Sequence, residues 1–200
     1  MNKYLNSQSQ HKTHQLNYEE RQSLLLHILR RIRRFFCLKT ILNTAVAEIR
    51  DFLAGDRVII YRLDGNSGNQ ILFEAVGENQ QSLKDDQIWE ECFNANMLKL
   101  LEEDTIPQAT ANVYDPGLAK FHLSCISKFE VKTNLIIPIH INNQIWGFLI
   151  IHHCRDDWEW HPSEMIILEQ LSVDIAIAIE HAILLEQAQE SQQKTDRRTR

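Results

Sequence analysis

Residues Tyr114–Ile139 read YDPGLAKFHLSCISKFEVKTNLIIPI, and this stretch changes character in its middle. Gly117 to Phe129 reads as a short helix. From Asn134 the chain becomes an apolar, β-branched run that continues to Ile141 and predicts a buried strand. Asn142-Asn143 follows, a pair that tolerates the left-handed conformations of a tight turn, and Gln144–His153 is the expected partner strand.

Working outward, Val58–Leu63 is a second β-branched strand, residues 64–69 (DGNSGN) form a turn, and Gln70–Val76 returns. Residues 82–112 are mixed, with a helical stretch from about Gln87 to Leu101. Leu25, Ile28, Leu29 and Ile32, then Ile41, Leu42, Ala45, Ile49 and Leu53, recur at the three- and four-residue steps of a long helix. A break is expected near Phe36–Leu38, which is bulky and apolar on every side, and Gly55 is expected to end the helix. Pro162 opens a last helix, where its missing N–H costs nothing. Leu168, Leu171, Ile175, Ala178, Ala182 and Leu185 then form a heptad-like seam. The order helix, hairpin, helices, hairpin, helix predicts an α+β fold: a central antiparallel sheet flanked by helices, with long terminal helices. Residues 1–17 read as a disordered tail, 18–190 as one domain and 191–200 as a polar tail.

The chain has 200 residues, 44% of them apolar, and a net charge of −6, which gives no reason to expect nucleic-acid binding. No apolar run reaches the roughly 20 residues of a membrane span, and the polar N-terminus lacks the apolar centre of a signal peptide. The four cysteines have no CxxC spacing. They read as free thiols, and a cytoplasmic protein is expected. The terminal helices outrun any plausible core, which predicts a parallel homodimer; covering the back of the sheet is the other use for them, and the two are compatible.

Three strings in order, Asp56–Arg62 (DRVIIYR), Tyr114–Ile139 and Ile145–His152 (IWGFLIIH), resemble the cyanobacteriochrome and phytochrome-type GAF domains. The similarity runs from about residue 24 to residue 188. It implies the GAF fold, a linear tetrapyrrole such as phycocyanobilin as cofactor, light-driven isomerisation of its terminal double bond and a signal carried by the terminal helices. The resemblance gives Tyr114, Phe121, His122 and His152 as cofactor-binding positions. His122 matches the family's partner to the attachment Cys, and His152 matches the histidine near the far ring. Two histidines suit a cationic conjugated ligand, because one can stack while the other donates to a ring carbonyl.

The family's usual attachment Cys is replaced by Phe121. A phenyl ring there removes the thioether; it could stack on a loosely held pigment, worth about 0.5–1.5 kcal/mol beyond burial, or fill the pocket. Glu90-Glu91-Cys92-Phe93 matches a second family motif, Asp-x-Cys-Phe, whose Cys adds reversibly to the middle bilin bridge. Here Glu90 stands for Asp, one methylene longer. Its neighbouring carboxylates disfavour the thiolate this chemistry needs, unless the bilin cation compensates. Packing beside Phe93 is the other role for Cys92. Cys125 lies one helical turn, roughly 6 Å, from position 121, so it is either a displaced anchor or a packing residue. Cys37 and Cys154 carry no attachment motif.

No phosphate-binding glycine loop is present. His152-His153-Cys154 with His140 or His161 fits no zinc spacing. Arg30–Arg34 (RRIRR) reads as a solvated helix face, and no nucleophile, base and orienting group assemble, so an enzyme is not expected. Trp158 and Trp160 either wall a pocket or cap the sheet. The sequence thus predicts a sensory GAF domain that binds a bilin through an atypical Cys or non-covalently and signals to a separate partner protein. The alternative is a pigment-free GAF module for small-ligand binding, dimerisation or partner docking.

Overall fold

The computed structural model describes residues 38–63, 70–84, 108–110, 128–155 and 158–198. Helix α1 (Leu38–Leu53) leads into strands β1 (Arg57–Arg62) and β2 (Gln70–Val76), then β3 (Gln108–Thr110), β4 (Thr133–Ile141) and β5 (Gln144–His153), and helix α2 (Pro162–Arg198). The five strands form one antiparallel sheet in the order β2-β1-β5-β4-β3. The α+β prediction holds. β3 was not anticipated; it pairs with β4 over three residues.

The two sheet faces have separate cores, because side chains alternate along a strand. On one face Val58, Ile60, Leu135, Ile137, Ile139, Leu149 and Ile151 meet Leu42, Val46, Ile49 and Leu53 of α1 and Leu168, Leu171, Ile175 and Ile179 of α2. Each such burial contributes roughly 1.5–3 kcal/mol. Ser172 Oγ donates to the Pro138 carbonyl at 2.7 Å and ties α2 to β4. The other face carries Ile59, Tyr61, Ile71, Ile136, Phe148 and Ile150, with Leu83 folded onto it.

The ends of these elements follow from local chemistry. Asn142 and Asn143 both take positive φ, 54° and 62°, as the hairpin turn requires. At the start of α2 the Glu164 carboxylate accepts from the His161 N–H at 3.0 Å, half of a capping box, with Pro162 in the first helical position. The end of α1 departs from expectation. Ala54, at φ 49°, takes the left-handed position, and Gly55 follows it, donating to the Arg50 carbonyl at 2.9 Å while Ala54 donates to Asp51. This is the paired hydrogen-bond pattern of a Schellman end, displaced one residue from the glycine.

The heptad-like seam of α2 is also resolved. Leu168, Leu171 and Ile175 are buried against the sheet, while Leu185 is exposed, as are Ile166, Val173, Ile177 and Leu184. A bulge between Ile139 and His140 leaves Trp146 without a cross-strand partner. Trp146 turns to the helix-covered side, whereas Ile145 stays on the other. Among the described residues, no helix is long and apolar enough to cross a membrane.

Candidate functional site

Of the cofactor-binding positions expected from the sequence, His152 is described. Glu90, Cys92, Tyr114, Phe121, His122 and Cys125 lie outside the described residues.

His152 is fully buried near the end of β5. It has the parity of Phe148 and Ile150, so it belongs to the face away from α1 and α2. Its cross-strand partners are Arg57 on β1 and Asn134 on β4. Arg57 and Asn134 are 1% and 2% exposed. Three buried polar residues thus form a row across three strands at one end of an apolar face. The Asn134 Oδ1 accepts no hydrogen bond among the described residues.

Arg57 organises this row. Its Nη1 lies 3.3 Å from His152 Nδ1, and its Nη2 donates to the Gln81 carbonyl at 2.6 Å. Its Nε is 3.4 Å from Glu74 Oε1, a contact of charge without hydrogen-bond alignment. Glu74 is itself held, accepting from the Leu83 N–H at 2.9 Å and pairing with the Ser82 hydroxyl. The stretch after β2 is thereby fastened over the sheet. Burial pushes the Arg57 guanidinium down from its ordinary value, an effect opposed by Cys154, Glu74 and Asp56. A guanidinium nevertheless remains charged in proteins.

Next to this row, the Asp56 carboxylate (Oδ2) accepts from the backbone N–H of Cys154 and of Arg155, and its Oδ1 pairs with Arg155 Nε at 2.6 Å. Cys154 is buried, and its thiol is pushed up to about 11, chiefly by burial. It is therefore no nucleophile at neutral pH.

His153 points the other way. Its ring stacks on Trp158 with centroids 4.3 Å apart and an interplanar angle of 4°, and Trp160 meets it edge-on. Trp160 belongs to the helix-side core, with Trp158 packed against it. The two tryptophans therefore cap that side of the sheet and do not line the His152 face. A groove of about 420 Å³ between β4 and α2, lined by Ile137, His140, Val173 and Ile177 among others, also lies on the helix-covered side. Among the described residues no cluster of His, Cys, Asp and Glu could hold a metal ion.

Sequence reasoning missed Arg57, Glu74 and Asn134 as a group. Arg57 and Asn134 stand inside quoted motifs, but only the strand register brings them to His152.

Comparison with known proteins places this geometry. The GAF domain model matches residues 38–179. A putative methyl-accepting chemotaxis protein of Synechocystis sp. is 34% identical over 147 residues, covering 74% of this chain and 15% of that protein. The circadian input-output histidine kinase CikA of Thermosynechococcus vestitus is 30% identical over 193 residues, covering 92% of this chain and 26% of that one. The chain thus spans about a quarter or less of these curated relatives. Among solved structures, the blue-light absorbing form of the Thermosynechococcus elongatus PixJ GAF domain is 30% identical, with a TM-score of 0.66 over 83% of this chain and 95% of that one. The chain belongs to the GAF domain family, and its structural neighbours are cyanobacteriochrome GAF domains.

Proposed function

We propose that this chain is the light-sensing GAF module of a signalling system and binds a linear tetrapyrrole on the sheet face that carries His152. The observation behind the reading is the composition of that face. Ile59, Tyr61, Phe148 and Ile150 offer an apolar floor, and the buried row of Arg57, His152 and Asn134 closes one end. A flat, conjugated ligand with an apolar body and polar carbonyl or carboxylate groups suits such a surface. The likeness to a blue-light absorbing GAF domain at 30% identity supports the same reading.

His122 is proposed as the second ring contact, with Tyr114 and Phe121 beside it. With Phe121 at the family's attachment position, the pigment is held through Cys92, through Cys125 or without a covalent bond. Co-expression with a bilin-producing pathway tests the reading: visible absorption of the purified protein is expected, and a colourless protein overturns it in favour of a pigment-free module. Acid denaturation with zinc-stained electrophoresis then separates covalent from loose pigment, and C92A and C125A identify the anchor.

The signal is proposed to leave through α2, to a second copy of this chain and to a separate partner protein. At about 1.5 Å per residue a helix of 37 residues is about 55 Å long, more than the sheet can cover. Ile166, Val173, Ile177 and Leu184 are exposed on it and recur at steps of 7, 4 and 7, the register of a coiled-coil seam. Light scattering on I177E and L184E is expected to report monomers where the parent protein is a dimer.

A further inference from the structure

We infer that α2 pairs with a second copy of itself in the antiparallel sense, about a two-fold axis at the level of Ile175, and not in the parallel sense expected from the sequence. This direction rests on the proposal above that the exposed stripe of α2 joins two copies. Ile166, Val173, Ile177 and Leu184 are exposed, while Leu168, Leu171, Ile175 and Ile179 on the opposite side are buried against the sheet. Steps of 7, 4 and 7 put Ile166 and Val173 at one seam position of the heptad, d, and Ile177 and Leu184 at the other, a. The same spacing puts Gln170 at a and Glu180 at d, so two polar residues interrupt the seam. Gln170 is exposed and Glu180 half-buried.

In a parallel dimer like positions meet at each level. Glu180 would then face the partner's Glu180, and at the flanks Glu169 would lie beside the partner's Asp174. Like charges set against each other on a surface that docking strips of water oppose association. Residues 162–193 of α2 include no Lys or Arg to offset them. In an antiparallel dimer each a position faces a d position instead. Ile166 and Leu184 both lie nine residues from Ile175, Val173 and Ile177 both two, and Gln170 and Glu180 both five. Turning one helix end for end about Ile175 therefore sets Ile166 on the partner's Leu184, Val173 on the partner's Ile177 and Gln170 on the partner's Glu180. Every apolar residue of the stripe keeps an apolar neighbour, and the Gln170 amide can donate to the carboxylate it faces. The two Glu180 side chains stand about 15 Å apart along the axis, beyond a Debye length at physiological salt. The remaining like pair, Asp174 with the partner's Asp174, sits at the flank near the pivot. The ends of α2 that overhang the sheet then leave the dimer in opposite directions, so a separate partner protein would meet them one at a time.

Two measurements on the full chain read the direction. The first is sedimentation equilibrium of wild type and Q170K at low salt and neutral pH. An antiparallel pair sets each introduced lysine against the partner's Glu180, and the dissociation constant is expected to fall roughly fivefold to tenfold. Parallel pairing would set the two lysines against each other and raise it. The second is disulfide cross-linking of Q170C mixed with E180C. Under mild oxidation each variant alone is expected to give no linked dimer beyond that of the parent protein, and the mixture is expected to give one. A Q170K constant that is unchanged or raised, a linked dimer from either variant alone, or none from the mixture overturns the antiparallel register while wild type remains a dimer. Monomers of both wild type and Q170K at every concentration overturn the α2 dimer itself.

Discussion

Asp56 and Cys154 stand 98 residues apart in the chain, and the Asp56 carboxylate accepts a hydrogen bond from the Cys154 backbone N–H at 2.8 Å. The same oxygen takes the Arg155 N–H at 3.3 Å. A charged, buried acceptor therefore anchors the chain where it leaves β5. The Arg155 side chain is 67% exposed, so its ion pair with Asp56 adds little. The backbone bonds matter more. D56A, which leaves two N–H groups without their acceptor, is expected to cost about 2–4 kcal/mol in urea denaturation, and R155A less than about 1 kcal/mol. Equal losses would show that the ion pair dominates instead.

Cys154 gives the fold a pH dependence on the alkaline side. Its thiol is raised from 9.0 to about 11 in the folded protein, mainly by burial. The folded state therefore holds its proton more tightly than the unfolded chain. The stability this contributes is complete below about pH 9 and is lost as pH climbs toward 11. Two units correspond to roughly 2–3 kcal/mol. Denaturation of wild type and C154A at stepped pH should show the difference between them shrinking or reversing by about that amount, and parallel curves would refute the assignment.

At Gly147 two strands approach too closely for a side chain. A Cβ there would lie 2.1 Å from the Tyr61 carbonyl oxygen and 3.2 Å from Arg62 Cα. Both obstacles are backbone and cannot swing away. G147A is expected to destabilise by roughly 3 kcal/mol or more, and to loosen the β1–β5 pairing that carries Arg57 and His152. Hydrogen exchange at β1 amides checks the second effect.

Ala54 offers a gain in stability. It is exposed and holds φ 49° at the end of α1, a conformation that costs an L-residue roughly 1–2 kcal/mol. Glycine relieves that cost but adds about 0.4–1 kcal/mol of unfolded-state entropy. A54G should therefore raise stability by about 0.5–1 kcal/mol, seen as a higher denaturation midpoint; a lower one would mean that the left-handed residue is not strained.

What the sequence made legible was whatever depends on near neighbours. Asn142-Asn143 announces its turn, β2 and β5 span the returning and partner strands expected after their turns, and Pro162 marks the start of α2. Long-range relations were hidden. Nothing local tells Arg57 and Glu74 from ordinary strand charges, because their burial exists only when β5 and the stretch after β2 close around them. β3 is three residues with no pattern of its own, and it is a strand through β4 alone. The α2 periodicity was visible, but which of its stripes the sheet would take was not. Ala54 shows the limit of rules of position: glycine was present where a helix should end, one residue too late to serve as the left-handed cap. For the candidate site, motif similarity reached His152, whereas its buried neighbour Arg57 is supplied by the register of β1 on β5.

The strand order has a consequence for how such a domain can change. β1 and β5 are neighbours at the centre of the sheet, while the chain between Val76 and Thr133 departs from β2 and re-enters at β4. That excursion begins and ends on strands already clamped by their neighbours. Lengthening a tethered connection is cheap, about 0.6 kcal/mol for each doubling, so the chain between Lys84 and β3, and between β3 and Lys128, can change in length while the sheet and its two helices stay as they are. A domain built this way can trade one ligand, or one mode of holding it, for another without refounding its architecture.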